Sequence, residues 1–155
     1  MERVAVLDFE TTGISPSQGD RPTEIAIAVV EEGRIVDRFQ SLMNPGRRIP
    51  AFVTQLTGIT NDMVASAPKV AEVMREAARF VGPLPVVAHN ASFDRKFWVA
   101  ELQRLSLDAD SPFACTMLLA RRLYPESPNH QLGTLVRTLQ LRQHQHRLEV
   151  AVVVE

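Results

Sequence analysis

The apolar residues of this chain change their period part-way along it, and that change limits the folds open to it. Arg3-Val4-Ala5-Val6-Leu7-Asp8-Phe9 reads as a buried strand that ends among polar residues. Residues 24–30, Glu-Ile-Ala-Ile-Ala-Val-Val, read as a second strand. Gly33 marks a turn, and residues 35–39 begin a third strand, close enough to the second for an antiparallel hairpin. Asn44-Pro45-Gly46 breaks the pattern. After Pro68 the spacing becomes helical: Val70, Val73, Met74, Ala77 and Val81 predict an amphipathic helix over 68–81, stopped by Gly82-Pro83. A short buried strand over 85–88, a helix over 91–105, a strand near 112–115 and a helix over 116–123 follow. Leu132, Leu135, Val136 and Leu139 mark one more helix. Strands first, then helices alternating with short strands, predict an α/β fold with a sheet of mixed direction. The valine-rich run 148–154 favours strand on propensity alone.

No linker or repeat divides the 155 residues, so 1–155 is read as a single domain. An apolar share of 45% and a charged share of 23% are those of a soluble globular chain. No apolar run approaches the roughly 20 residues that span a bilayer, so no membrane partner is expected. The first residues lead directly into a strand rather than a signal peptide. The lone Cys115 excludes an internal disulfide and any cysteine-rich zinc site, and is expected to be buried. A cytoplasmic location is the resulting expectation. The net charge of −1 neither suggests broad nucleic-acid binding nor excludes it. The cations are nearly all arginine, which suits bidentate phosphate contacts and ordinary surfaces alike.

Asp8 and Glu10 carry the first chemical signal. Residues i and i+2 of a strand share a face, so two carboxylates converge at the carboxyl end of the first strand. Open α/β sheets place their ligands there. Like charges so close repel unless a cation lies between them, and hard oxygen ligands suit Mg²⁺ or Mn²⁺. An isolated Asp-x-Glu is more often a solvated strand end. Thr11-Thr12-Gly13 follows at once, with hydroxyls and a turn glycine that can bring N–H groups towards a phosphate. Asp94 falls in the first turn of the helix after the strand at 85–88, within His89-Asn90-Ala91-Ser92-Phe93-Asp94. Alone it would serve the helix N-terminus. With Asp8 and Glu10 it completes a three-carboxylate site, provided the two strands are neighbours.

The stretches Asp8–Gly13 and His89–Asp94 resemble the first two motifs of the DEDD exonucleases, nearest to the branch of the epsilon proofreading subunit of bacterial DNA polymerase III. Glu24-Ile25-Ala26-Ile27, Leu56-Thr57-Gly58-Ile59-Thr60 and Asn129-His130-Gln131-Leu132-Gly133-Thr134-Leu135 fit the same pattern. The resemblance runs from about residue 3 to about 147. It implies a ribonuclease H-like fold, a central mixed five-stranded sheet flanked by helices. It implies a 3′→5′ exonuclease that releases nucleoside 5′-monophosphates from single-stranded or frayed DNA ends. The family mechanism uses two divalent cations, with Asp8 bridging both and Glu10 and Asp94 holding one or both. Phe9, Thr11 and Thr12 would contact the terminal nucleotide, Leu56 would wedge near the last base, and Phe93 would pack beside the site. His89 is read as structural, and Met74 and Trp98 as core. An exoribonuclease trimming RNA 3′ ends, or a module that binds nucleic acid or a polymerase subunit without cutting, are the alternative readings.

The third motif departs from the pattern. The epsilon branch ends with a His, four residues and an Asp on a helix. Here the residues are His144-Gln145-His146-Arg147-Leu148-Glu149-Val150. If His146 is the general base, Val150 falls near the position of the aspartate. If His144 is, Glu149 replaces it. The chain ends at Glu155, before that helix would finish. A fourth ligand altered in this way implies weak activity, rescued more by Mn²⁺ than by Mg²⁺.

Overall fold

The computed structural model describes residues 2–141. Strand β1 (Arg3–Thr11) alternates strictly, with Ala5, Leu7, Phe9 and Thr11 buried on one face and Asp8 and Glu10 set on the other. Strand β2 (Pro22–Glu31) pairs antiparallel with β1, from Arg3 opposite Glu31 to Thr11 opposite Pro22, with an irregularity at Glu10/Thr11. Its residues 22–29 are all buried, as befits a strand covered on both faces. Strand β3 (Arg34–Leu42) returns antiparallel along β2 and is largely exposed, an edge strand.

Three helices follow, α1 (Ala51–Thr57), α2 (Asn61–Ala65) and α3 (Val70–Val81). The chain then re-enters the sheet as β4 (Val86–Ala88), parallel to β1 through Ala5–Val86 and Val6–Val87. Helix α4 (Ala91–Arg104) leads to β5 (Phe113–Cys115), parallel to β4, and α5 (Thr116–Leu123) and α6 (Leu132–Thr138) complete the described chain. The sheet order is β3-β2-β1-β4-β5, a mixed five-stranded sheet with helices, as the α/β reading expects.

Leu7, Phe9, Ile25 and Ile27 of the sheet pack with Val73, Met74, Ala77 and Val81 of α3 and Phe97, Trp98 and Leu102 of α4. Each such side chain contributes about 1.5–3 kcal/mol on leaving water. Met74 and Trp98 are therefore core, as expected. A second, smaller cluster of Ile49, Val53, Ile59 and Val64 fastens α1 and α2. These two helices are absent from the sequence reading, because seven and five residues are too few for a 3.6-residue period to declare itself. Their local signals are in the caps. Gly58 ends α1 at φ 74°, and the Thr60 hydroxyl accepts the Met63 N–H to start α2.

Cys115 corrects an expectation. It is only partly covered, because it ends the edge strand β5 where the chain turns into α5. Its Sγ accepts the Ala91 N–H at 3.4 Å. The strand expected at 148–154, and with it His144, His146 and Glu149, lies outside the described residues. No helix among the described residues is long and apolar enough to cross a membrane.

Candidate active site

Asp8 and Glu10 project from the carboxyl end of β1, and the parallel pairing of β4 brings the next helix beside them. Asn90, between β4 and α4, sits in the left-handed region at φ 61°, ψ 51°, and this turns the chain sharply from strand into helix. Asp94 is in the first turn of α4 and only 2% exposed. The Phe9 N–H donates to its Oδ1 at 3.0 Å, across 85 residues of sequence. Asp94 thus meets β1 between Asp8 and Glu10, as the argument from adjacent strands requires.

The electrostatics show how closely the acids feel one another. Burial pushes the Asp94 carboxyl up to about 8, the Asp8 charge adds to the rise, and the Phe9 N–H opposes it. Glu10 is pushed up to about 7 by burial, then by Asp8 and by Glu24. Glu24 stands directly opposite Glu10 across the β1–β2 pair and is itself buried. Gln40 Nε2 donates to its Oε1 at 3.0 Å. Among the described residues its Oε2 has no hydrogen-bond partner.

Among the described residues no three His, Cys, Asp or Glu side chains close into a ready-made metal cage. Asp94 commits one oxygen to Phe9. The donor set still suits a hard divalent cation: oxygens only, partly desolvated, with raised proton affinity that a cation would relieve.

The loop after β1 is fixed from within. The Thr11 hydroxyl donates to Gly13 O at 2.6 Å, and the Thr12 hydroxyl donates to Asp20 Oδ1 at 3.2 Å while accepting the Arg21 N–H at 3.1 Å. The Thr12 N–H goes to Arg21 O, and the Phe9 N–H to Asp94. Of the three residues expected to touch a nucleotide, Phe9, Thr11 and Thr12, each has donors committed to the protein, which shapes the site rather than reaching out of it. Gly13 is small for a reason of space: a Cβ there would collide with the Asp20 carboxylate. That carboxylate also takes the Ser15 N–H.

Leu56 stands 84% exposed on α1, an apolar side chain offered to solvent. Phe93 packs partly against the main core, its ring 5.2 Å from that of Phe97. His89 is held at both ring nitrogens, sharing hydrogen bonds with the Thr116 hydroxyl at 2.9 Å and His130 O at 2.8 Å, so it ties β4 to the later helices. Sequence reasoning missed Arg21 and Glu101. Arg21 grips Glu101 with two parallel bonds of 2.7 and 2.8 Å and so ties the loop after β1 to α4.

The profile of a family described as Exonuclease matches residues 5–147, nearly the whole chain. The chain belongs to the exonuclease family. It is 42% identical over 147 residues to DNA polymerase III PolC-type of Bacillus subtilis, an alignment covering 94% of this chain and 10% of that protein. It is 39% identical over 150 residues to the 3′-5′ exonuclease DinG of the same organism, covering 96% of this chain and 16% of the relative. The chain therefore spans a tenth to a sixth of the length of these relatives. Among solved structures, exonuclease X in complex with 5′ overhanging duplex DNA superposes with TM-score 0.74 at 33% identity, over 92% of this chain and 76% of that one. The fold is ribonuclease H-like, and the kinship is with the DEDD, epsilon-like branch of exonucleases. The family match includes His144 and His146 and ends two residues before Glu149.

Proposed function

We propose that the protein is a 3′→5′ exonuclease that removes nucleoside 5′-monophosphates from single-stranded or frayed DNA ends. The observation that supports this reading is the hydrogen bond that sets the buried Asp94 against β1 at Phe9, between Asp8 and Glu10, in a chain of exonuclease kinship. Asp8, Glu10 and Asp94 would hold two divalent cations, Mg²⁺ or Mn²⁺, which when bound supply an ionised water and neutralise the leaving oxygen. The Phe9 N–H fixes the Asp94 carboxylate, and the Arg21–Glu101 pair fixes the loop against α4, so the acids are aimed before substrate arrives. Leu56 and Phe93 are the apolar contacts for the terminal nucleotide, and the buried end of β1 at Phe9 and Thr11, with Thr12 after it, forms the floor on which it rests. His144 or His146 takes the proton of the attacking water.

DNA is favoured over RNA by the kinship with polymerase III and with an exonuclease that binds overhanging duplex DNA. A DNA polymerase in the cytoplasm is the corresponding partner. Val150 offers no donor atom and Glu149 is longer than an aspartate, so the fourth ligand is either missing or displaced, and turnover should be faster with Mn²⁺ than with Mg²⁺. The test is release of labelled mononucleotide from 3′-labelled single-stranded DNA with Mn²⁺. Chelator and Asp8→Ala should each reduce release by 10²-fold or more, roughly the value of a catalytic group, with the fold intact by circular dichroism. Release from Asp8→Ala equal to wild type would refute the assignment.

A further inference from the structure

A groove of about 740 Å³ runs along the outer side of α4, walled on the other side by the turn at residues 15–17. Arg95, Lys96 and Arg104 line it, with Gln103 between them, and no carboxylate does. Among the described residues neither Arg95 nor Lys96 has an acidic partner within 4.0 Å. Lys96 Nζ instead lies over the rings of Phe93 and Phe97, at 5.0 and 6.0 Å from their centroids. Arg104 approaches Glu101 only to 4.0 Å, and Glu101 already holds Arg21 at 2.7 Å. A chain of net charge −1 thus gathers three weakly engaged cations along one helix. A second hollow differs in kind, since Arg75 and Arg79 there face Asp108 and Asp110.

We propose that this groove carries the phosphodiester backbone of the substrate strand behind its terminal nucleotide. The inference rests on the exonuclease reading and adds to it where the rest of the strand lies. Both walls continue segments that leave the acid site in sequence: Arg95 directly follows Asp94 on α4, and Ser15, whose N–H is held by Asp20, lies two residues after Gly13 in the turn that follows β1. From residue 95 to 104 the helix advances about 13 Å at 1.5 Å per residue. One nucleic-acid strand carries a charge about every 3.4 Å along a helix axis, so three cations over this length meet several phosphates. The lining offers short apolar side chains, Val99 and Ala100, and no aromatic ring on which a base could stack. Recognition there is of charge, without base preference.

The test measures binding of a 5′-fluorescein-labelled dT12 by anisotropy, in chelator so that nothing is cut. The wild type is compared with Arg95→Gln/Lys96→Gln and with the triple variant that adds Arg104→Gln. The triple variant should bind about ten-fold or more weakly, and its slope of log K against log salt should shrink by about 2, since single strands lose about 0.7 per phosphate contact. The double variant should show about two-thirds of that decrease in slope. Hydrolysis of the p-nitrophenyl ester of thymidine 5′-monophosphate with Mn²⁺, a substrate too short to enter the groove, should be equal in all three proteins. An unchanged affinity and salt slope, or an equal loss on the ester, would overturn the groove. If the wild type hydrolyses neither the ester nor 3′-labelled single-stranded DNA with Mn²⁺, the exonuclease reading fails, and the anisotropy still decides the groove.

Discussion

Glu10 and Asp94 are acids placed where their charge is unwelcome, and this sets a pH dependence with a definite sign. Their ordinary values are 4.5 and 3.8, and in the fold they stand at about 7 and about 8. Between those limits the folded protein binds more protons than the unfolded chain, so stability falls as pH rises. In chelator the melting temperature should drop between pH 5 and pH 9 by on the order of 5 °C, measured by calorimetry. Asp94→Asn keeps the acceptor for the Phe9 N–H and removes the charge, so it should flatten that decline while abolishing nucleotide release. A flat profile in the wild type would show that the acids are not in conflict. Glu101 is the opposite case, a buried carboxylate with a bidentate partner. Glu101→Ala should cost about 2–3 kcal/mol in urea denaturation, below the 3–5 of a fully buried pair because Arg21 keeps some exposure. Asp8, Glu10 and Asp94 were legible in the sequence because residue type, strand spacing and a helix start spoke together. Arg21 with Glu101, and Asp20 against Gly13, were not, since each pairing is made by the tertiary fold and neither partner carries a local mark.

At the scale of elements, the hinge between β4 and α4 matters most, because it aims Asp94. Its left-handed residue is Asn90, a type that tolerates this conformation. Asn90→Ala should therefore lose about 1–2 kcal/mol, while Asn90→Gly should stay within a few tenths. Urea denaturation measures both, and equal losses would show that the side chain, not the backbone, is what the position needs. Elements with a full apolar period were readable: 116–123 is a helix as expected, and 68–81 differs from α3 only at its start. Strands β1 to β3 run a few residues further than their apolar cores suggest, because ladder pairing continues into polar residues such as Glu10 and Thr11. Helices α1 and α2 escaped because they are held by a few buried side chains and by caps rather than by a long amphipathic face.

For the whole molecule, β1 is the strand at which the sheet changes direction, antiparallel to β2 on one side and parallel to β4 on the other. The acids lie at its carboxyl end, so cation binding should act on global stability rather than on one loop. A cation at 100 times its Kd stabilises by about 2.7 kcal/mol. Mn²⁺ should raise the melting temperature of the wild type clearly at pH 8 and less at pH 5, where protons compete for the same oxygens. Asp8→Ala should show little of that rise. An equal rise in both proteins would place the ion elsewhere.

The hydrogen bond from Phe9 to Asp94 closes a loop of 85 residues, and this bears on synthesis. A ribosome delivers Asp8 and Glu10 together, then must add the 83 residues 11–93 before Asp94 exists. The β1–β3 meander can pair as soon as it emerges, yet it holds only two of the three acids. A chain broken off within that stretch is therefore a sheet without its third acid, and the proposed cutting site cannot exist before Asp94 is made.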